Sequence, residues 1–418
     1  MGVTDKLIDI QEKAKAKLAE IPKPGLSFNA AGFVKMKAGM DSMKAGMEKT
    51  SLLSGYSNSD NITKIMIVLM GFIFFSIFFW LYTKLSLDEK NCNNITTLYD
   101  DFPLIRSINP ENPIYLYKLR DYYIKTAYNC CSAGIFKNDF VNVCALKSCI
   151  KQGARCLDFE IYSVNNIPSI AISSKINYSE KGSYNSVAFA DAMQIISTYA
   201  FSGNTCPNPN DPLILHFRIM SGNVDIHNQM AMILYNTLED RLLGKKFSYE
   251  NDGINLGDYQ LSRLMGKVVI MVDKSNPLFT TSALYEYVNI ASKAPFLRAL
   301  RYSDVLYSPD TKELTGYNKQ NMSIVLPDVS SKNKNYSPSL AMSYGCQMIG
   351  MSFQNFDANM EYYSQMFDDT GSAFILKDEK YRYIPIFIPI PEVNPPSWSY
   401  RPRELNFLSG DPNFKFRA

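Results

Sequence analysis

Residues Ile65 to Thr83 read IMIVLMGFIFFSIFFWLYT, nineteen positions without a charge, with Lys64 and Lys84 as flanks. A run of that length crosses a hydrocarbon core as a single helix. Trp80 and Tyr82, near one end, suit an interfacial aromatic belt. The run therefore divides the 418-residue chain into an arm (1–63), a transmembrane helix (64–84) and a large remainder. It starts too late for a cleaved signal. Lysines in residues 35–64 favour a cytosolic N-terminus, although Lys84 and Lys90 blunt the asymmetry. Within the arm, MKAGMDS is followed by MKAGMEK, which sets Met36, Met40, Met43 and Met47 on one helical stripe. Such a stripe rests on a membrane or a partner, or belongs to a solvated arm. Pro22, Pro24 and Gly25 separate it from an earlier helix over Val3–Ile21.

After residues 85–116, read as a polar tether, strand-like and helix-like patterns alternate for about 260 residues. That alternation predicts an α/β parallel barrel of the (β/α)8, TIM type. The expected strands are Tyr122–Ala127, Arg155–Tyr162, Ser169–Ser173, Leu213–Ile219, Lys267–Val272, Val305–Tyr307, Ser323–Leu326, Gln347–Met351 and Ala373–Leu376. Expected helices are Phe140–Gln152, Ser186–Ala200, Asp225–Leu243, Ser282–Ala291 and Met360–Phe367. The barrel spans 117–382, and a proline- and aromatic-rich tail (383–418) is expected to pack on it. A net charge of +3 implies no nucleic-acid partner. Two histidines in the whole chain disfavour histidine-based acid/base or metal chemistry. All eight cysteines follow residue 90. Cys92, Cys130, Cys131, Cys144, Cys149 and Cys206 are candidates for pairing, and Cys156 and Cys346 read as buried thiols. Four glycosylation sequons (at Asn94, Asn177, Asn321 and Asn335) and the cysteines together fit a C-terminal domain outside the cytosol.

One stretch carries a family likeness. From Tyr336 to Arg382 the chain runs Tyr-x-Pro, Gly-Cys-Gln-Met, an apolar strand ending Phe-Gln, a Phe/Asp/Gly spacer and an apolar-Leu-Lys close. This resembles the Y-box half of eukaryotic phosphoinositide-specific phospholipase C. The X-box half is similar at GARCLDFE, which puts Asp158 and Glu160 at the family's two acid positions. The resemblance implies a phospholipase C-type barrel with its site at the C-terminal strand ends, two catalytic histidines, and carboxylates holding Ca2+. The polar positions depart from it. KTAYNCC places Tyr128 at the first histidine and keeps Asn129. The second histidine is missing, since residues 1–215 contain none. LILHFRI puts Arg218 at an acid position and Ile219 at an asparagine, with His216 two residues earlier on the same face. The family's two lysines fall at Met271 and Asp273, with Lys274 one place off, and its arginine/tyrosine clamp falls at Ile324 and Leu326.

These residues lead to a membrane-anchored, catalytically impaired phospholipase C-like barrel, a structural or interaction protein with a protein partner. The composition and anchor would suit a virion membrane component of a large DNA virus. Arg218 is expected to pair with Asp158 and Glu160 where a metal would have sat, leaving Asn129, Asp158 and Glu160 as vestigial Ca2+ positions and no cofactor. His216 reads as a hydrogen-bonded core histidine and His227 as a surface one. The alternatives are an active phosphodiesterase rebuilt on Tyr128, Asp158, Glu160 and His216, with Ca2+, and a headgroup binder without hydrolysis.

Overall fold

The computed structural model describes residues 59–174, 181–249 and 255–385, and two short strands in the tail. The helix expected at Val3–Ile21 and the methionine stripe lie outside the described residues. The apolar run is the centre of a 27-residue helix, α1 (Ser59–Leu85). At 1.5 Å per residue it is about 40 Å long, and its large apolar side chains from Ile62 to Tyr82 are exposed. It is one helix long and apolar enough to cross a membrane.

Residues 85–116 do not form a tether. After Ser86 the chain continues as α2 (Leu87–Leu98), and the bonds from Ser86 N to Tyr82 O and from Lys90 N to Ser86 O carry helical pairing across the junction. One stripe of α2 seats on the barrel. Asn91 donates to Asp139 at 2.8 Å, Cys92 is disulfide-bonded to Cys144, and Ile95 is buried. Just past the helix, Tyr99 is buried and donates to the Phe353 carbonyl at 2.7 Å. Further on, Ile105 and Ile108 enter the core, and the Ile108 amide donates to Asp211 at 2.8 Å. The polar look of the segment comes from its outward face and from the polar side chains, Asp88 and Asn91, that bond to the barrel.

From there the chain forms β1 (Tyr122–Ala127), α3 (Val143–Lys151), β2 (Cys156–Val164), β3 (Ile167–Ile170), β4 (Val187–Ala188), α4 (Phe189–Tyr199), β5 (Leu213–Ile219), α5 (Val224–Leu238), β6 (Val268–Asp273), β7 (Ile290–Ser292), β8 (Leu297–Arg301), α6 (Tyr302–Leu306), α7 (Thr311–Gln320), β9 (Met322–Leu326), α8 (Pro338–Met342), β10 (Met348–Met351), α9 (Ala358–Thr370) and β11 (Phe374–Leu376). Eight of the strands, β1, β2 and β5 to β10, are parallel and lie side by side in chain order, with β10 returning to β1. This is a nearly closed TIM-type barrel. Buried on both faces, its strands read as apolar runs such as VVIMV. Among the described residues no ladder joins β7 to β8. Only residues 293–296 connect them, through an Ala294–Leu297 bridge and with Lys293 in the left-handed region at φ 58°.

Several sequence expectations change. Val305–Tyr307 is not a strand; Tyr302–Leu306 is helix, and Tyr307 is exposed. The helix expected over Ser282–Ala291 is a 3-10 turn (Ala283–Glu286) followed by β7. Strand β8 went unread. The strand expected over Ser169–Ser173 is β3, an antiparallel return on β2 outside the ring. The strand at the end of the 336–382 stretch, β11, also lies off the ring and pairs antiparallel with β1; β10 closes the barrel. Cys130, Cys131, Cys149 and Cys206 are buried free thiols, not pairing partners. His227 is buried, not at the surface. In the tail, Glu404–Leu405 pairs antiparallel with Phe416–Arg417; apart from 383–385, the remainder lies outside the described residues.

The order Gly-Cys-Gln-Met in the 336–382 stretch has a packing reason at Gln347, which is fully buried. Its Oε1 accepts from Ser323 N at 2.8 Å, and its Nε2 donates to the carbonyls of Arg120, Asn318 and Asn321 at 2.9–3.0 Å. It thus satisfies backbone ends of three elements that no ladder reaches. Gln347→Leu keeps the volume and orphans those groups. The expected cost is about 3 kcal/mol, read as a lowered urea midpoint; an unchanged midpoint would show that water replaces the amide.

Candidate functional site

The parallel register of β2 and β5 puts Asp158 beside His216 and Glu160 beside Arg218. Period-two alternation turns all four into the barrel. Just past the end of β1, Asn129 takes a left-handed conformation (φ 46°) that asparagine tolerates better than most residues. Its amide donates to Asp158 Oδ2 at 3.2 Å. Gly350 on β10 lets Tyr128 in: a Cβ there would lie 3.2 Å from the Tyr128 Cβ. Tyr128, Asn129, Asp158, Glu160, His216 and Arg218, all expected at the site, do come together there, and each is 3% exposed or less.

Arg218 is the hub. Its Nε and one terminal nitrogen donate to the two oxygens of Asp158 at 2.9 and 2.7 Å, a bidentate pair. The same terminal nitrogen donates to Asn129 Oδ1 at 2.7 Å. The other terminal nitrogen lies 3.3 Å from Glu160 Oε1, and the Tyr128 ring covers the guanidinium at 5.1 Å. The second Glu160 oxygen accepts from Ser173 N at 3.0 Å. His216 Nδ1 is 2.8 Å from Asp158 Oδ1, and its Nε2 is 3.1 Å from Ser292 Oγ.

The two carboxylates titrate in opposite directions. Burial alone would raise the Asp158 carboxyl. The Arg218 charge and the His216 and Arg218 hydrogen bonds overcome it and hold Asp158 well below the usual range. At Glu160 burial wins over Arg218 and the Ser173 amide, and the carboxyl is raised. Burial opposes the charge on Arg218, but Asp158 and Glu160 hold the guanidinium charged. Burial raises the Tyr128 phenol, so it offers no base near neutrality. Because Asp158 is ionised and only accepts, His216 presents an N–H at Nδ1 to it, with Nε2 facing the Ser292 hydroxyl. That is the polarity of a serine–histidine–aspartate relay. Yet Ser292 is completely buried, and Arg218 already occupies the aspartate. The hydrogen-bond chain orients a core histidine, and its side chains are all buried.

The residues do not fit Ca2+. That ion needs six to eight oxygens, and here both Asp158 oxygens, Asn129 Oδ1 and Glu160 surround a guanidinium instead. Among the described residues no group of three or more His, Cys, Asp or Glu side chains is arranged to hold a metal. At the family's phosphate-gripping positions, Met271, Ile324 and Leu326 are buried apolar core, and Lys274 points outward, exposed. Asp273 lies at the strand end, bonded to Ser275 N and 3.5 Å from Lys293 Nζ. Ser292 was missed, because β7 is only three residues long and carries no periodic signal.

Two family models match the chain: the phosphatidylinositol-specific phospholipase C X domain over residues 116–274 and the Y domain over residues 294–380. Together they cover more than half of it. A mouse protein, 1-phosphatidylinositol 4,5-bisphosphate phosphodiesterase beta-2, is 34% identical over 76 residues, which is 18% of this chain and 6% of that protein. The crystal structures of PLC21 from S. officinalis and L. pealei superpose with a TM-score of 0.54 each, at 19% and 18% identity. Each match covers 67% of this chain and 39% of the PLC21 chain. The likeness at that identity is one of fold.

The opposed carboxylates give a pH signature. Asp158 binds its proton less tightly folded than unfolded. Its contribution to stability is complete above the ordinary carboxylate value of about 4 and is lost as the pH falls below it. Glu160, raised, has the opposite sign, and its ionisation opposes folding as the pH climbs above about 4.3. Asp158→Asn is expected to flatten the acid loss of stability between about pH 4 and 2.5, followed by urea unfolding. An acid limb as steep as that of the unmodified protein would exclude Asp158 as its source. Arg218→Met, which strands both carboxylates, is expected to cost about 3–5 kcal/mol.

Proposed function

The chain belongs to the phosphatidylinositol-specific phospholipase C family, and we propose that it is a member that has kept the barrel without the hydrolysis. In this reading it is a single-pass membrane protein whose barrel serves as a structural or docking body for a protein partner. The observation that carries the reading is Arg218. A fixed, buried cation lies between the carboxylates that would otherwise face a metal and a phosphate, and no histidine stands at either acid/base position of the family. The Tyr128 ring lies over the guanidinium, and buried apolar side chains, Met271, Ile324 and Leu326, stand at the family's phosphate-gripping positions. The same changes weigh against a headgroup binder without hydrolysis.

The Cys92–Cys144 disulfide supports a barrel held outside the reducing cytosol. So does Asn94, an exposed sequon on α2. Asn335 gives no such support: it is buried, and its side-chain amide donates to the Ser352 and Asn355 carbonyls. An anchored barrel of this kind would suit a component of the internal membrane of a large DNA virus. Mass spectrometry of purified particles and protease protection of the barrel in intact membranes test the location.

A second reading has one observation in its favour. Asp158 and Glu160 have titrations pushed apart, as acid/base pairs do, with His216 beside them. An assay separates the two readings. The full chain, reconstituted in liposomes with phosphatidylinositol or its bisphosphate, with and without Ca2+, is expected to release no headgroup above the protein-free rate. Turnover that Asp158→Asn abolishes would overturn the proposal in favour of a rebuilt enzyme. In the same preparation Arg218→Ala is expected to gain Ca2+ binding by calorimetry that the unmodified protein lacks, because it leaves the Asp158, Glu160 and Asn129 oxygens without their cation.

A further inference from the structure

The joint between α1 and the barrel combines two unlike connections. On the α1 side, helical hydrogen bonds run through Ser86, so α2 moves with the membrane helix as one lever. On the barrel side, α2 is held by one narrow stripe. Asp88 accepts from Asn142 Nδ2 at 3.1–3.2 Å, Asn91 donates to Asp139, and Cys92 is bonded to Cys144. All three partners lie on the β1–α3 loop or the first turn of α3. The polar bonds there are partly exposed, the kind that contribute least, and they oppose a helix about 40 Å long acting as a lever. The disulfide is the one covalent tie, and it closes a span of 52 residues.

It is also the one sulfur site within reach of a reductant. Cys92 and Cys144 are half-buried, whereas the six other cysteines are buried thiols, inert in such surroundings. A reductant therefore meets a single target, and that target sits at the joint.

We propose that the Cys92–Cys144 disulfide is a redox-sensitive lock that fixes the barrel in one orientation on its membrane helix. A dithiol reductant opens it by thiol–disulfide exchange. The S–S bond takes up two electrons and two protons, the dithiol leaves as its own disulfide, and α2 is then held by the polar stripe, by Ile95 and, at its C-terminal end, by Tyr99. Reduction turns a rigid mount into a hinge between α2 and α3, with the barrel itself intact. The membrane-facing part of this inference rests on the reading that α1 spans a bilayer; the lock itself does not.

Hydrogen exchange with mass spectrometry on the full chain in nanodiscs tests it. After reduction, or in Cys92→Ser, the amides of residues 88–99 are expected to exchange at least tenfold faster, while those of β5 stay unchanged. Alkylation under reducing, native conditions is expected to mark Cys92 and Cys144 and leave the other six thiols unmodified. Unchanged exchange over 88–99 after complete reduction would overturn the lock, as would free thiols at Cys92 and Cys144 in the untreated protein. Faster exchange in β5 as well would show that the bond holds the barrel and not the joint, and would equally overturn it. The membrane reading fails on a separate signal: amides of Ile65–Thr83 that exchange freely in both redox states.

Discussion

A guanidinium enclosed in a barrel must find its counter-charges on the spot, and the interior of this protein is arranged around that demand. Taking an ion out of water costs several kcal/mol even after relaxation. Arg218 meets the cost with a bidentate carboxylate, an asparagine carbonyl, a second carboxylate and an aromatic face. Each partner is in turn fixed by something else. Asp158 is held by His216 and the Asn129 amide, Glu160 by Ser173, and His216 by Ser292. The cluster ties β1, β2, β5 and β7 together at one end of the ring. These side chains find their main charge and hydrogen-bond partners among themselves.

Much of the barrel could be read from the chain because its strands are buried on both faces. Tyr122–Ala127 and Leu213–Ile219 were placed as they occur, since a largely apolar run of that length, rich in β-branched and aromatic residues, has few other homes. The misreadings cluster where burial is partial. β8 reads LRALR, half-exposed along most of its length, and so carries no apolar signature. Its neighbour α6, with Val305 turned inward and Leu306 and Tyr307 outward, mimics a strand over three residues. Segment 85–116 hides its docking face at helical spacing among charged and amide side chains, which a composition-based reading takes for linker.

The site was legible for a different reason. Alternation along GARCLDFE and LILHFRI fixed which side chains point inward, and register did the rest. What sequence could not supply was the third dimension of the hydrogen-bond chain. Ser292 belongs to a strand too short to recognise, and His227, taken for a surface residue, is buried on the inner side of α5. The cysteines tell the same story. Eight in the chain suggested several bridges, but pairing depends on the distance between Cα atoms, and spacing alone says little about it. Burial accounts for the other six.

The ring is not uniform around its circumference. Seven of its neighbouring pairs share a parallel ladder, while β7 and β8 meet across a four-residue connection with no ladder between them. Topologically this is an open sheet rolled until its two margins touch. The margins fall between the two stretches that the X and Y family models match, so the barrel is two half-shells whose continuous hydrogen-bonded spine runs through β10 and β1. None of the seven ladders runs through residues 293–296. The seam begins one residue beyond Ser292, so the outermost partner of the charge cluster sits beside the one place where the ring has no ladder.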